Sequence, residues 1–151
     1  MRAQVDENHV IEASTRFWEQ MVAMKLEPEP VHEKFCVDHQ HLLGSIDLTG
    51  AWNGRIQIRM SENLARLATS VMLMQPIETI AAADMFDAIS EIANIIAGVI
   101  KSSLPQPCAM GLPHAAVETC NLCSQLPAPN AIDVAFRHAD GKMVVRIWED
   151  A

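Results

Sequence analysis

The stretch DMFDAISEIANIIAGVIKSSL, residues 84–104, decides the fold. It holds no proline, and Pro105 and Pro107 follow at once, so a helix can run to about Leu104 and no further. Asp84 stands where an N-cap is wanted. At about 100° per residue, Asp87, Ser90, Glu91, Asn94, Gly98, Lys101 and Ser102 fall in one arc about 120° wide. Met85, Phe86, Ala88, Ile89, Ile92, Ala93, Ile95, Ile96, Val99, Ile100 and Leu104 occupy the rest. So apolar a helix belongs in a core and leaves only a narrow polar stripe to solvent. Gly98 sits in that stripe although glycine costs about 1 kcal/mol against alanine in a helix interior, so a close approach by another backbone is expected there.

The flanking sequence supplies something for this helix to pack on. From Leu42 to Met60 two apolar runs are separated by Gly50 and the pair Asn53 and Gly54, residues that tolerate positive φ, so a hairpin is predicted. Ile132 to Phe136 and Met143 to Trp148 flank Asp140 and Gly141 in the same way and predict a second hairpin. Ser61 is placed to cap a helix that carries Leu64, Leu67, Ala68, Val71 and Met72 at helical spacing and ends before Pro76. An amphipathic pattern from His9 to Met24 adds another helix, stopped by Pro28 and Pro30. The expected architecture is therefore α/β in the α+β sense: one domain over residues 1–151, with a largely antiparallel sheet and three main helices packed on it.

Composition narrows the function. A formal net charge of -8 with scattered Lys and Arg argues against a nucleic-acid partner, which needs clustered positive charge. No run approaches the roughly 18 apolar residues of a membrane span, and Asp6 and Glu7 replace a basic signal-peptide opening, so no membrane role and a cytoplasmic location are expected. Four cysteines in a reducing compartment require no disulfide.

Glu91 and Asn94 are three residues apart, so their side chains are neighbours on one helix face. A carboxylate engages a cation, while a carboxamide offers a donor and an acceptor to a water molecule. By itself such a pair is common on solvated helices. The segment Asp87-Ala-Ile-Ser-Glu91-Ile-Ala-Asn94-Ile-Ile-Ala-Gly98, however, resembles the signature helix of the CheC, CheX and FliY phosphatases: Asp or Ser, three residues, Glu, two residues, Asn. Pro113 in Met110-Gly-Leu-Pro113 matches the signature's downstream proline, with 18 residues between Asn94 and Pro113, somewhat fewer than usual. Gly44 to Gly50 with Gly54 to Ile58 looks like the family's first hairpin, and Ser61 to Met74 like its next helix. Two-site members repeat the motif on the first helix. Here Glu12 and Thr15 hold those positions without the amide, so the chain looks like the one-site CheX form.

The resemblance implies a phosphatase acting on the aspartyl phosphate of a CheY-like receiver domain in chemotaxis or a related two-component pathway. It implies Glu91 and Asn94 as catalytic residues, with Asp87, Gly98, Lys101 and Pro113 in the binding surface. It further implies a homodimer, no cofactor bound by this chain, and Mg²⁺ on the receiver substrate. The rival reading is a catalytically silent receiver-binding adaptor. Cys108, His114, Cys120 and Cys123 could together ligate zinc, but an isolated C-x-x-C pair is a weak signature and no metal is expected. His32, His39 and His41 are read as exposed loop histidines without a role, Met72 and Met74 as core fillers, and Trp52, beside a turn, as the tryptophan best placed for an exposed contact.

Overall fold

A computed structural model of the protein describes residues 5–30, 40–119 and 131–150. In chain order the elements are α1 (Glu7–Phe17), β1 (Glu27–Glu29), β2 (Gln40–Gly50), β3 (Gly54–Ser61), α2 (Glu62–Leu73), α3 (Ala82–Lys101), β4 (Cys108–Met110), β5 (His114–Thr119), β6 (Ala131–His138) and β7 (Gly141–Glu149). The strands form one sheet in the order β1-β6-β7-β3-β2-β4, and β5 also pairs with β2. Every pairing is antiparallel. Three helices on a largely antiparallel sheet is the architecture the sequence predicts.

Alternation divides the sheet into two faces. Leu42, Ile46 and Leu48 of β2, Ile56, Ile58 and Met60 of β3 and Met143, Val145 and Ile147 of β7 are all buried and pack into the same core as Ile89, Ile92 and Ile96 of α3. Gly44 lets α3 lie close on the sheet: a Cβ there would stand 2.9 Å from the Ile89 carbonyl oxygen and 3.3 Å from the Ala93 methyl group. The opposite face is ionic. Asp47 accepts from Arg55 at 2.6 Å and Asp133 from Arg146 at 2.7 Å, each across one strand pair. The Arg55 guanidinium also lies 5.9 Å from the centre of the Trp148 ring.

Several local details differ from the sequence reading. The first helix begins at Glu7, because Asp6 and His9 form a reciprocal cap at 3.0 and 3.1 Å. It continues as a π-type turn, Trp18–Val22, and stops at Ala23, which takes a left-handed conformation, so the prolines do not end it. Pro28 lies in edge strand β1, opposite Phe136, where a missing N–H is tolerated. Asp84 is the third residue of α3 instead of its cap, and its Oδ2 accepts the Ala81 N–H at 2.9 Å. Ser61 occupies the cap position of α2, but its hydroxyl accepts the Lys142 N–H at 3.1 Å and does no capping. In the first hairpin only Gly50 has positive φ, whereas Asn53 closes the turn through side-chain bonds to both the N–H and the carbonyl of Gly50. Trp52 is buried at 3% exposure, so it offers no surface contact.

Candidate functional site: the polar stripe of α3

Eight residues of α3, from Met85 to Ile100, are buried against the sheet and the other helices, which makes the helix a rigid mount for whatever its outer face carries. Asp87 and Glu91 are exposed on that face, while Asn94, Gly98 and Lys101 are half-buried. Among the described residues, the side chains of Asp87, Glu91, Asn94 and Lys101 form no hydrogen bond or ion pair. Elsewhere on the surface many charges are tied up: Glu12 holds Arg16 at 2.9 Å and Glu62 holds Arg66 at 3.1 Å. The stripe thus carries an exposed carboxylate and a half-buried carboxamide one helical turn apart, neither engaged by another described side chain.

Gly98 departs from the expectation of a close backbone approach. A Cβ added there would meet only the terminal methyl carbon of Met110, at 3.9 Å, with open space otherwise. Nothing in the described chain requires glycine at this position, so the shallow notch above it faces outward.

Pro113 reaches the same part of the molecule through the strand edge. Gly44 lies beneath Ile89 and Ala93, and Met110, opposite Leu48, lies beside Gly98. Positions 45 to 47 of β2 therefore run below the turn of α3 that carries Asn94. The segment Gly111 to Pro113 borders those positions, because Met110 pairs with Leu48 and His114 with Ser45. The Gly111 N–H donates to the Asp47 carbonyl at 2.8 Å and holds the segment in place. Pro113 thus stands at the sheet edge beside β2, between the residue pairs Leu48–Met110 and Ser45–His114.

The other candidates separate from this site. Cys108 is buried and directs its thiol to the Trp52 carbonyl at 3.7 Å, whereas His114 is exposed at the sheet edge. Cys120 and Cys123, like His32 and His39, lie outside the described residues, and among those described no group of three His, Cys, Asp or Glu side chains could hold a metal. Met74 is not a core filler but strongly exposed. Glu12 of α1 is engaged by Arg16, so the position corresponding to a second motif lacks a free carboxylate as well as an amide.

Sequence reading missed a second polar cluster. His41, expected to be exposed, is 1% exposed, and its Nε2 meets Glu118 Oε1 at 2.8 Å. The same oxygen accepts from Arg59 Nε at 2.9 Å, and the arginine side chain is 9% exposed. Burial by itself pushes the Glu118 carboxyl up, but hydrogen bonds from Arg59 and His41 outweigh it and hold the group below its usual 4.5. The alternation of Arg55, Gln57 and Arg59 against Ile56 and Ile58 marked a polar face, but the cross-strand partner 59 residues away was not legible.

The structure thus has three helices on an antiparallel sheet, with Glu91 and Asn94 on the outer face of α3. Residues 42–123, over half of the chain, match the model of the family described as chemotaxis phosphatase CheX, and the chain belongs to that family. A search of the curated proteins finds no match. Among solved structures, the chemotaxis protein CheX of Vibrio vulnificus is 18% identical with a TM-score of 0.78, covering 99% of this chain and 100% of that one. A CheC-like superfamily protein from Shewanella sp. PV-4 is similar at 18% identity and TM-score 0.78, with 100% of each chain covered. The CheX of Borrelia burgdorferi, solved in a complex with CheY, BeF3 and Mg²⁺, has a TM-score of 0.71 at 18% identity, with 95% and 97% covered. At these identities the likeness is one of fold. No helix among the described residues is long and apolar enough to cross a membrane.

Proposed function

We propose that this chain hydrolyses the aspartyl phosphate of a CheY-type receiver domain, with Asn94 and Glu91 as the residues that touch the reacting groups. The observation that carries the reading is their joint presentation, without internal partners, on a helix buried along its other side. An acyl phosphate is already reactive toward water. Catalysis therefore needs position more than new chemistry, because the receiver brings its own Mg²⁺ and lysine to neutralise the transferring group. The Asn94 carboxamide oxygen accepts a hydrogen bond from the attacking water and holds it in line with the phosphorus. The bond from phosphorus to the aspartyl oxygen breaks, leaving inorganic phosphate and a free carboxylate on the receiver. Glu91 pairs with the receiver's lysine and sets the orientation of docking, and it need not take a proton. Asp87 adds a polar contact, and Gly98, Lys101 and Pro113 complete the surface that the receiver covers. The chain itself supplies no cofactor in this scheme.

A receiver substrate places the reaction in the cytoplasm, and the homodimer implied by the family resemblance belongs to the same reading, to be checked by light scattering on the purified protein. The decisive experiment is phosphate release from a phosphorylated receiver. The wild type accelerates it and Asn94→Ala loses about 10²-fold or more in rate, as expected when a reacting water is no longer positioned. Full activity in Asn94→Ala removes this residue from the mechanism. Binding to the phosphorylated receiver without any acceleration makes the chain an adaptor.

A further inference from the structure

The edge strands β4 and β5 are out of register by one residue where they meet. Leu48 faces Met110 and Ser45 faces His114, so β2 advances three positions while the edge chain advances four. The extra residue falls within Gly111 to Pro113 and makes the segment a bulge, a device that re-aims a side chain at a sheet edge. Its consequence is visible in the alternation: Met110 packs against the core at an even position, and beyond the bulge Ala115, opposite Gly44, does so at an odd one. Leu112 is the side chain that the bulge throws out, and it is 82% exposed.

An exposed leucine is not unusual alone. Leu112 differs by where it stands and how it is held. The bulge borders the turn of α3 that carries Asn94, and the notch over Gly98 opens next to it, floored by the Met110 methyl group. Hydrogen bonds fix the segment at both ends, through the Gly111 N–H to Asp47 and through the β5 ladder from His114 onward. With the backbone held on both sides, only the side-chain rotamers of Leu112 remain to be ordered when a partner covers it. The other exposed large apolar side chains, apart from Val117 on β5, lie at the end of the first helix or on α2 and the turn after it.

We propose that Leu112 is the apolar anchor of the receiver-docking face, and that it supplies affinity while Glu91 and Asn94 supply register and chemistry. This rests on the reading of the α3 stripe as the receiver site and is continuous with it. Interfaces gain most of their energy from a few desolvated side chains, and the stripe itself offers only polar groups and the notch over Gly98. The receiver is thus expected to bring an apolar contact to the side of its phosphorylation site that meets the bulge.

The test uses the full chain with Leu112→Ser and a CheY-type receiver carrying beryllofluoride and Mg²⁺ for binding, or phosphate for turnover. Because Leu112 is already solvated, the variant keeps the melting temperature of the wild type. A rise of about tenfold or more in both Kd and KM, with kcat within about twofold, is the expected result, being what loss of one buried leucine side chain amounts to. Unchanged Kd and KM in Leu112→Ser, with Asn94→Ala inactive, overturn the anchor and leave the catalytic site standing. A wild type that neither binds nor dephosphorylates the receiver overturns both.

Discussion

The terminal methyl of Met110 lies 3.9 Å from where a Cβ of Gly98 would be, an ordinary van der Waals distance to the end of a flexible side chain. The chain can therefore accept alanine at position 98 at no steric cost. Gly98→Ala is expected to stabilise the fold by about 0.5–1 kcal/mol, the usual gain for alanine over glycine inside a helix. If the notch receives part of the receiver, the same change raises KM for the phosphorylated receiver. A thermal melt and a turnover assay on one variant check both. Greater stability with unchanged KM would show that the notch is not used.

Glu91 is the exposed charge placed to meet a cation on the receiver, and exposed charge pairs act over about a Debye length and weaken with salt. Glu91→Gln keeps the shape of the side chain and removes its charge. The variant is expected to show a higher KM at low ionic strength and a flatter dependence of kcat/KM on salt than the wild type. Rates measured from about 0.02 to 0.5 M salt decide it. Identical salt profiles would remove Glu91 from charge recognition.

How much of this was legible beforehand depends on whether a feature is local. The α3 stripe was, because Glu91 and Asn94 are brought together by helical spacing alone, and both hairpins were, because alternation and turn residues are short-range signals. Boundaries went wrong where a side chain had a choice of partners. Asp84 serves as the third helical residue instead of the cap, and Ser61 accepts from Lys142, 81 positions away. Features made by strand pairing were not legible at all. The bulge that exposes Leu112 exists only because β4 and β5 share β2 with a one-residue offset. His41 likewise meets Glu118 from 77 positions away along the chain.

Glu118 ties the β5 edge to β2 and β3, since one of its oxygens bonds to both His41 and Arg59. Its folded-state pKa lies below the 4.5 of an unperturbed glutamate, so the carboxylate contributes stability above about pH 4.5. That contribution fades as the pH falls through the folded value, because the unfolded chain then binds the proton more readily. Glu118→Gln keeps an oxygen acceptor for Arg59 but removes its counter-charge, and because Glu118 is about a third exposed the expected cost at pH 7 is about 0.5–1 kcal/mol. Denaturant unfolding of wild type and variant from pH 7 down to about pH 3 checks the sign: the gap between them narrows only on the acid side of the glutamate range. Because β5 begins one residue after Pro113, the loosened edge is also expected to raise KM for the receiver while leaving kcat nearly unchanged. A gap that stays constant with pH would mean that the Glu118 charge makes no contribution to holding the strand.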